Sequence, residues 1–190
     1  ETLAWDKKEE NLYLFRDRVG EKPLYFGFIN SVLYFASELK FFNSMEASLP
    51  LSREGVNMFF AQGNVPAPYS IFKNVFKVMP GELLTFNKYN NPPSSYYYWK
   101  LDQKNLLDKG FTFSMASKKF EDLFLGSVTE QMISDVPLGA FLSGGIDSSA
   151  VVAAMQELSS KKIQTHSIGF AENDYDERKA AKIVANYLNT

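Results

Sequence analysis

The 190-residue chain contains no cysteine and a single histidine. Without cysteine it can form no disulfide and hold no cysteine-ligated metal. Its 20 basic and 22 acidic residues give a formal net charge of -2, which provides no basic field for nucleic acid or for a membrane surface. No apolar run approaches transmembrane length, and no secretory signal is recognisable. The sequence therefore predicts no nucleic-acid partner, no membrane partner and a cytoplasmic location.

The chain also lacks Gly-Lys-Ser and Gly-Lys-Thr, so the common ATP-binding loop is absent. A different loop occupies residues 143–149, Ser-Gly-Gly-Ile-Asp-Ser-Ser, between an apolar run at 138–142 and another at 150–155. These runs predict a short buried strand and the opening turns of a helix buried on most sides. Adjacent glycines let the backbone approach a ligand, and serine hydroxyls and helix amides can bind an anion.

The composition of this loop favours a pyrophosphate over a single transferred phosphate, because the lysine that serves terminal phosphate transfer is missing. Asp147 is unusual beside a phosphate, since a carboxylate there requires a cation between the two groups. The loop therefore predicts bound Mg²⁺ together with a nucleotide. The alternative is a glycine-serine turn with no ligand.

The first hundred residues predict antiparallel β structure, with strand candidates at 11–17, 24–29, 32–37, 75–78, 82–86 and 96–99. Large side chains at nearly every position of 24–29 and 32–37 predict a sheet covered on both faces, as in a layered sandwich. Ser52 is a candidate N-cap for a helix carrying Val56, Phe59 and Phe60. Arg16 and Asp17 are expected to hold a turn, and the aromatic run at 96–99 to pack as an edge.

Composition changes after Trp99, where residues 102–113 predict a linker. From Ser114 a helical period predicts one apolar face, and a second buried strand is expected over 163–170. A last helix is predicted with an apolar stripe and with Asp174 and Glu177 as a capping box. This alternation indicates the start of a parallel, doubly wound α/β domain over 114–190, with its ligand crevice beyond the carboxyl ends of the strands. The predicted faces are Phe120, Leu123, Phe124, Val128 and Met132 in the first helix, and Ala180, Ile183, Val184, Tyr187 and Leu188 in the last.

His166 is the only histidine, which makes it a candidate general base. Its place inside an apolar strand favours instead a strand residue whose polar groups are satisfied.

Five segments together resemble the glutamine-dependent asparagine synthetases. They are Arg-Asp-Arg-Val-Gly-Glu-Lys-Pro-Leu-Tyr at 16–25, Ala-Ser-Glu-Leu-Lys at 36–40, the run from Ser134 to Ser149, His-Ser-Ile-Gly-Phe at 166–170 and Tyr-Asp-Glu at 175–177. The resemblance implies a fold of mixed α/β and α+β class. Residues 1–101 would be the C-terminal part of an N-terminal-nucleophile (class II) glutamine amidotransferase sandwich, 102–113 a linker, and 114–190 the N-terminal part of an ATP pyrophosphatase domain.

The resemblance also implies an ATP-dependent ligase. Glutamine hydrolysis would supply ammonia through an internal tunnel, and aspartate would react with Mg-ATP to give an aspartyl-adenylate and pyrophosphate. Ammonia would then convert the adenylate to asparagine and AMP. The implied cofactors are ATP and Mg²⁺, and the small-molecule partners are ATP, aspartate and glutamine or ammonia. The full-length protein is expected to be a homodimer.

Site residues follow from the same resemblance. Leu142 and Ile168 would contact adenosine, and Asp147 would hold Mg²⁺ through the pyrophosphate. Leu39 would line the tunnel near the domain interface, with simple packing as its alternative. The residues expected to hold the pyrophosphate are Ser143, Gly144, Gly145, Asp147 and Ser148.

The chain departs from the family in lacking the N-terminal cysteine nucleophile. Both of its ends look cut, so we expect a fragment that contains no catalytic residue of the glutaminase and is inactive on its own. Two alternatives remain for the parent protein. It could amidate another carboxylate, such as a sugar acid or one that closes a lactam, or it could be a non-catalytic nucleotide-binding module.

Overall fold

The computed structural model describes residues 2–45, 49–88, 92–101, 110, 112–172 and 176–190. The chain divides into two compact units, Glu1–Lys104 and Asn105–Thr190. Most of the predicted linker at 102–113 lies outside the described residues. No helix in the described ranges has the length and apolar character needed to cross a membrane.

Among the residues that the structure describes, the first unit contains seven strands in two antiparallel sheets. One sheet has the order β1-β2-β6-β7 and the other β4-β3-β5. The strands are β1 (Thr2–Asp6), β2 (Asn11–Phe15), β3 (Tyr25–Ile29), β4 (Val32–Ala36), β5 (Val75–Lys77), β6 (Glu82–Phe86) and β7 (Ser94–Tyr97). The antiparallel prediction is confirmed, but β1 was not predicted, and β7 begins two residues before the predicted strand at 96.

The two sheets pack face to face over one apolar core. Leu14 and Leu84, paired across β2 and β6, are buried together with Leu24, Val78 and Phe86. Phe26 from the second sheet meets Phe86 from the first with ring centroids 5.6 Å apart. Because this core joins residues of both sheets, the predicted sandwich is confirmed. The predicted cover on both faces is incomplete, since Val32 and Phe35 of β4 are 51% and 40% exposed.

The described part of the first unit also includes the helices α1 (Lys40–Asn43) and α2 (Arg53–Gln62). Helix α2 packs closely against the segment around Ser70 through Gly55, where an added Cβ would collide with the Ser70 carbonyl oxygen. The predicted helix carrying Val56, Phe59 and Phe60 is confirmed, but the Phe60 side chain is 82% exposed. Phe60 lies more than a quarter turn around the helix from the Gly55 contact.

The Ser52 cap of α2 is confirmed, since its Oγ accepts a hydrogen bond from the Gly55 amide at 3.1 Å. We predict that Ser52→Ala lowers the free energy of unfolding by about 1 kcal/mol, because one terminal amide loses its partner. Urea titration followed by tryptophan fluorescence measures the change, with Ser94→Ala, which is exposed in the same unit, as the control at about 0.5 kcal/mol or less. Equal midpoints for the two variants would contradict this role.

The second unit alternates helix and strand, as predicted, and its two strands are parallel. Helix α4 begins at Ile146, inside the glycine-serine loop and before the predicted start at 150. The predicted Asp174 half of the last capping box lies outside the described residues, and Glu177 makes no side-chain cap. The elements are α3 (Phe113–Gln131), β8 (Gly139–Phe141), α4 (Ile146–Leu158), β9 (Gln164–His166) and α5 (Arg178–Leu188).

Helix α4 lies in the middle of this unit. Met155 packs with Val128 of α3, while Val152 packs with Ala181 of α5. The helix is therefore buried against a neighbour on two sides, and Val151 remains 38% exposed.

The predicted apolar faces of the outer helices are only partly covered. Phe120 is 67% exposed and stacks on half-buried Phe124, with centroids 5.6 Å apart. Tyr187 is 88% exposed. The contacts with α4 come from neighbouring residues of each helix, so the prediction is also wrong for Leu123 and Ile183, which are exposed.

The prediction of two buried strands is wrong as well. Only Leu142 and Ile163, at the strand margins, are buried, whereas Phe141 and Ile168 are 78% and 67% exposed. Alternate residues of a strand point to opposite faces. Ala140 packs with the helices, and Phe141 takes the other face of the sheet.

Candidate functional site

The glycine-serine loop joins the carboxyl end of β8 to the first turn of α4. The Leu142 amide donates to the His166 carbonyl at 2.9 Å, and the Ser167 hydroxyl donates to the Leu142 carbonyl at 2.6 Å. These bonds hold the ends of the two parallel strands side by side. The loop therefore lies where the crevice of a doubly wound sheet is expected.

Position 144 requires glycine both because of its backbone conformation and because helix α5 lies close to it. Its φ is +85°, a left-handed conformation, and an added Cβ would lie 2.7 Å from atoms of Ala180 and Ala181 at the start of α5. Gly145 differs, because an added Cβ there would meet only the Ser143 Oγ at 3.4 Å. Gly144 is thus needed for packing, whereas Gly145 leaves open space beside the loop.

We predict that Gly144→Ala lowers the free energy of unfolding of the second unit by about 2–3 kcal/mol, from left-handed strain and the collision with α5. Gly126→Ala is the matched control. It lies in α3 with nothing near the added Cβ, and it should stabilise the unit by about 0.5–1 kcal/mol. Unfolding followed by far-ultraviolet circular dichroism measures both. A neutral Gly144→Ala would contradict the packing role.

The N-terminus of α4 is open to an anion. Gly145 is its N-cap and provides no side-chain cap, so the first amides of the helix lack a partner within it. These amides carry the positive end of the helix dipole, which attracts negative charge. Asp147 lies in this first turn and is exposed.

Two serine hydroxyls face each other across the loop. The Ser143 and Ser148 Oγ atoms are 2.8 Å apart, and Ser148 also donates to the Gly145 carbonyl at 3.3 Å. Ser149 Oγ is buried without a hydrogen-bond partner among the described residues. Sequence reasoning did not single out Ser149. An anion at the loop would find hydroxyl donors already gathered, which fits phosphate oxygens.

A cavity of about 360 Å³ opens beside the loop. It brings together four of the predicted site residues, Leu142, Ser143, Ser148 and Ile168. Gly144, Gly145 and Asp147 belong to the adjoining loop and do not line it. Of the other lining residues, His166 was considered only as a candidate general base. The sequence predicted no ligand contact for Phe141, Ser167, Phe170 and Glu177.

His166 is a strand residue, as predicted, because it ends β9. Its carbonyl is paired with Leu142, but its side chain is exposed and lines the cavity. The imidazole lies over Gly139, where an added Cβ would be 3.0 Å from Nε2. Its position as the last residue of β9 was the signal, because strand ends border the crevice.

An ion pair lies near the Phe170 wall of this cavity. Arg178 Nε and Nη2 donate to the two carboxylate oxygens of Asp176 at 2.7 and 2.8 Å. The hydrogen bond from Arg178 lowers the pKa of Asp176, and the same bond raises the pKa of Arg178. Arg178 also donates to the Phe170 carbonyl at 3.3 Å, which ties this wall to α5.

Asp147 is the residue predicted to bind Mg²⁺. Within the described ranges, no group of three or more histidine, aspartate or glutamate side chains is placed to hold a metal. One exposed carboxylate at a loop rich in hydroxyl and amide donors fits a cation that arrives with phosphate oxygens.

Leu39 lies in the first unit, where it precedes α1 and is half-buried. It lines a separate cavity of about 420 Å³, together with Tyr25, Phe59 and Lys77. The ammonia tunnel at Leu39 stays a prediction.

Arg16 and Asp17 hold the turn that follows β2, as predicted. Buried Arg16 donates to the carbonyls of Lys22, Val78 and Gly20 at 2.8, 2.9 and 2.7 Å. Asp17 accepts from the Glu21 amide at 2.8 Å. Slight burial raises the pKa of Asp17, but the amide hydrogen bonds outweigh it and leave that pKa lowered.

Family models match both parts of the chain. The model described as glutamine amidotransferase domain matches residues 2–99, and the model described as asparagine synthase matches residues 119–190. The first match covers the β-sandwich and the second covers the glycine-serine loop.

Individual relatives agree with the family models. A protein of Methanocaldococcus jannaschii named as an asparagine synthetase (glutamine-hydrolyzing) is 40% identical over 98% of this chain and 36% of its own length. Asparagine synthetase (glutamine-hydrolyzing) 1 of Bacillus subtilis is 33% identical over 98% of this chain and 29% of its own length. Amidase chry2 of Gibberella zeae is 30% identical over 82% of this chain and 23% of its own length.

The chain spans about a third of the length of the relatives that match nearly all of it. It carries the amidotransferase match and the synthase match in one continuous sequence. The chain belongs to the glutamine-hydrolysing asparagine synthetase family.

Proposed function

We propose that the protein to which this chain belongs is an ATP-dependent ligase that converts aspartate to asparagine through an aspartyl-adenylate, with ammonia from glutamine. One observation carries the proposal. The paired hydroxyls of Ser143 and Ser148 lie at the uncapped N-terminus of α4, beside an open cavity at the strand ends. This arrangement suits a pyrophosphate leaving group.

The loop binds pyrophosphate through side-chain hydroxyls and through backbone amides. The hydroxyls of Ser143 and Ser148 donate to pyrophosphate oxygens, exchanging their mutual hydrogen bond for bonds to the ligand. The Gly145 segment brings backbone amides close to the same oxygens without a side chain in the way. These donors stabilise the negative charge that develops on pyrophosphate as it leaves the α-phosphate.

The cavity holds the adenosine part of ATP. Leu142 is held in place by the bonds to His166 and Ser167, and Ile168 presents an exposed apolar side chain to the cavity. Aspartate then attacks the α-phosphate with its side-chain carboxylate, and the bond to pyrophosphate breaks. Ammonia displaces AMP from the activated carboxyl, which gives the amide.

Mg²⁺ supplies charge neutralisation for the polyphosphate when it is bound. Asp147 is the residue of this chain that would hold it, because its carboxylate is exposed in the first turn of α4. A carboxylate at the positive end of the helix is favourable in itself. The exposed Asp147 carboxylate is therefore available to the cation.

The glutaminase half supplies ammonia in this proposal, and Leu39 lines part of its route. The chain contains no cysteine, so it cannot supply a cysteine nucleophile for glutamine hydrolysis. We infer that the 190 residues alone make no asparagine. Pyrophosphate release from ATP, aspartate and ammonia by the isolated chain would contradict this.

A second candidate is amidation of a different carboxylate by the same chemistry. The similarity to Amidase chry2 and to Amidase chyE of Penicillium rubens, each 30% identical over 82% of the chain, favours keeping it. We expect the protein in either case to be cytoplasmic and homodimeric, with small-molecule partners and no nucleic acid.

The test is product analysis with the full-length protein. With ATP, Mg²⁺, glutamine and aspartate, we expect asparagine, AMP and pyrophosphate in equal amounts. Omitting aspartate, or replacing it by a sugar acid, should abolish pyrophosphate release. Formation of ADP and phosphate would contradict the adenylation chemistry. Pyrophosphate release that depends on another carboxylate would support the second candidate instead.

A further inference from the structure

The first unit contains a cavity of about 420 Å³ that the proposed ligase chemistry does not use for ATP or aspartate. It is lined by residues of β3, β5 and α2 and by the loop that follows α2. Ligand pockets in proteins span about 300–1,000 Å³, so this cavity has room for a small organic molecule.

The cavity contains a half-buried positive charge. Lys77 Nζ donates to the Val65 carbonyl and lies 5.7 Å from the centroid of the Tyr25 ring. None of the ion pairs found within the described ranges involves Lys77. Burial, and then the charge of Arg16, lowers the pKa of Lys77. A half-buried ammonium is costly unless an anion accompanies it.

The rest of the cavity wall is mostly apolar. Leu39, Phe59 and Ile71 line it, and Phe59 is half exposed toward solvent. An apolar wall with one charged group at its side fits a ligand with an apolar body and one anionic group.

We propose that this cavity binds a small monocarboxylate with an apolar body, with its carboxylate on the Lys77 ammonium. The carboxylate accepts hydrogen bonds from the two Lys77 N–H groups that do not donate to the Val65 carbonyl. The apolar body of the ligand packs against Leu39, Phe59 and Ile71. Free amino acids bind less well, because their own ammonium would face Lys77 and lose its hydration against an apolar wall. The site is independent of the pyrophosphate loop.

Benzoate is the probe, and benzamide is its neutral analogue of the same shape. The ¹⁵N-labelled chain is titrated with each at constant ionic strength set by chloride, and amide shifts are recorded. We expect the amide shifts of residues around the cavity to saturate with benzoate, with a Kd of about 1 mM. Benzamide should bind at least about tenfold more weakly, since it carries no negative charge to pair with the Lys77 ammonium.

Lys77→Met removes the charge and keeps the length of the side chain. It should weaken benzoate binding at least about tenfold and benzamide binding by only about threefold or less, since benzamide loses one hydrogen bond but no ion pair. Exposed Lys73→Met is the matched control, and its Kd should stay within about threefold.

Equal affinity for benzoate and benzamide in the unaltered chain would overturn the proposal, whatever the variants do. So would benzoate shifts that map away from Lys77, or no saturation of the cavity residues. Aspartate binding as tightly as benzoate would overturn the assignment of an apolar body.

Discussion

Arg16→Met is expected to lower the free energy of unfolding of the first unit by about 3–5 kcal/mol. The Arg16 guanidinium donates to three backbone carbonyls, from Lys22, Val78 and Gly20, and the residue is only 9% exposed. Methionine fills a similar volume but donates nothing, so all three carbonyls lose a charged partner. The turn between β2 and β3 and the chain after β5 would separate.

Urea unfolding measures this effect through Trp5 and Trp99, which both lie in the first unit. Arg18→Met is the matched control, because Arg18 is exposed on the same turn. It should change the free energy of unfolding by about 0.5 kcal/mol or less. A loss below about 1 kcal/mol for Arg16→Met would show that the turn does not depend on the guanidinium.

Asp147→Asn is expected to lower kcat for pyrophosphate release by the full-length protein by about a hundredfold or more. The amide keeps the size of the carboxylate but loses the charge that would hold Mg²⁺ beside the phosphates. Because Asp147 is exposed in the first turn of α4, its replacement should leave the fold intact.

Glu157→Gln provides the control, since it removes a carboxylate from the last turns of the same helix. Its kcat should remain within about threefold of the unaltered protein, consistent with a surface substitution. Raising the Mg²⁺ concentration should partly restore Asp147→Asn if the residue acts through the cation. A rate unchanged by Asp147→Asn would remove Asp147 from the proposed site.

The loop was predictable because its signals are local. Strand, glycine turn and helix follow within about 20 residues, and the parallel strands β8 and β9 bring the 143–149 loop and the 167–170 segment together. The start of α4 was placed four residues late, since Gly145 rather than a side-chain cap precedes the helix. Gly144 was predicted for its approach to a ligand, but its closest neighbours are Ala180 and Ala181 of α5.

Exposure was less predictable than secondary structure. A helical period shows which residues share a face, but the tertiary partner decides how much of that face is covered. In α3 the contact with α4 is made by Val128 and its neighbours, and Phe120 falls outside it. The apolar character of the surrounding strand does not predict that the His166 side chain lines the cavity. Its place at the end of β9 determines this position.

Strand β1 was missed because its five residues have no turn signal before them, and only the pairing with β2 identifies it. Leu3 and Leu14 are register partners and so share a face of the sheet, but Leu3 is 42% exposed at its edge. The strand is therefore determined by a partner rather than by its own pattern.

We propose that the loop between β8 and α4 binds pyrophosphate. The most direct measurement is a titration of the ¹⁵N-labelled chain with magnesium pyrophosphate, with Gly145→Ala and Gly126→Ala as comparisons. We predict that the largest amide shifts fall at residues 143–148 and saturate with a Kd of about 1 mM. Gly145→Ala should weaken pyrophosphate binding about tenfold, and Gly126→Ala should leave it unchanged. Amide shifts spread over surface lysines, with no saturation at residues 143–148, would show that this loop does not bind pyrophosphate.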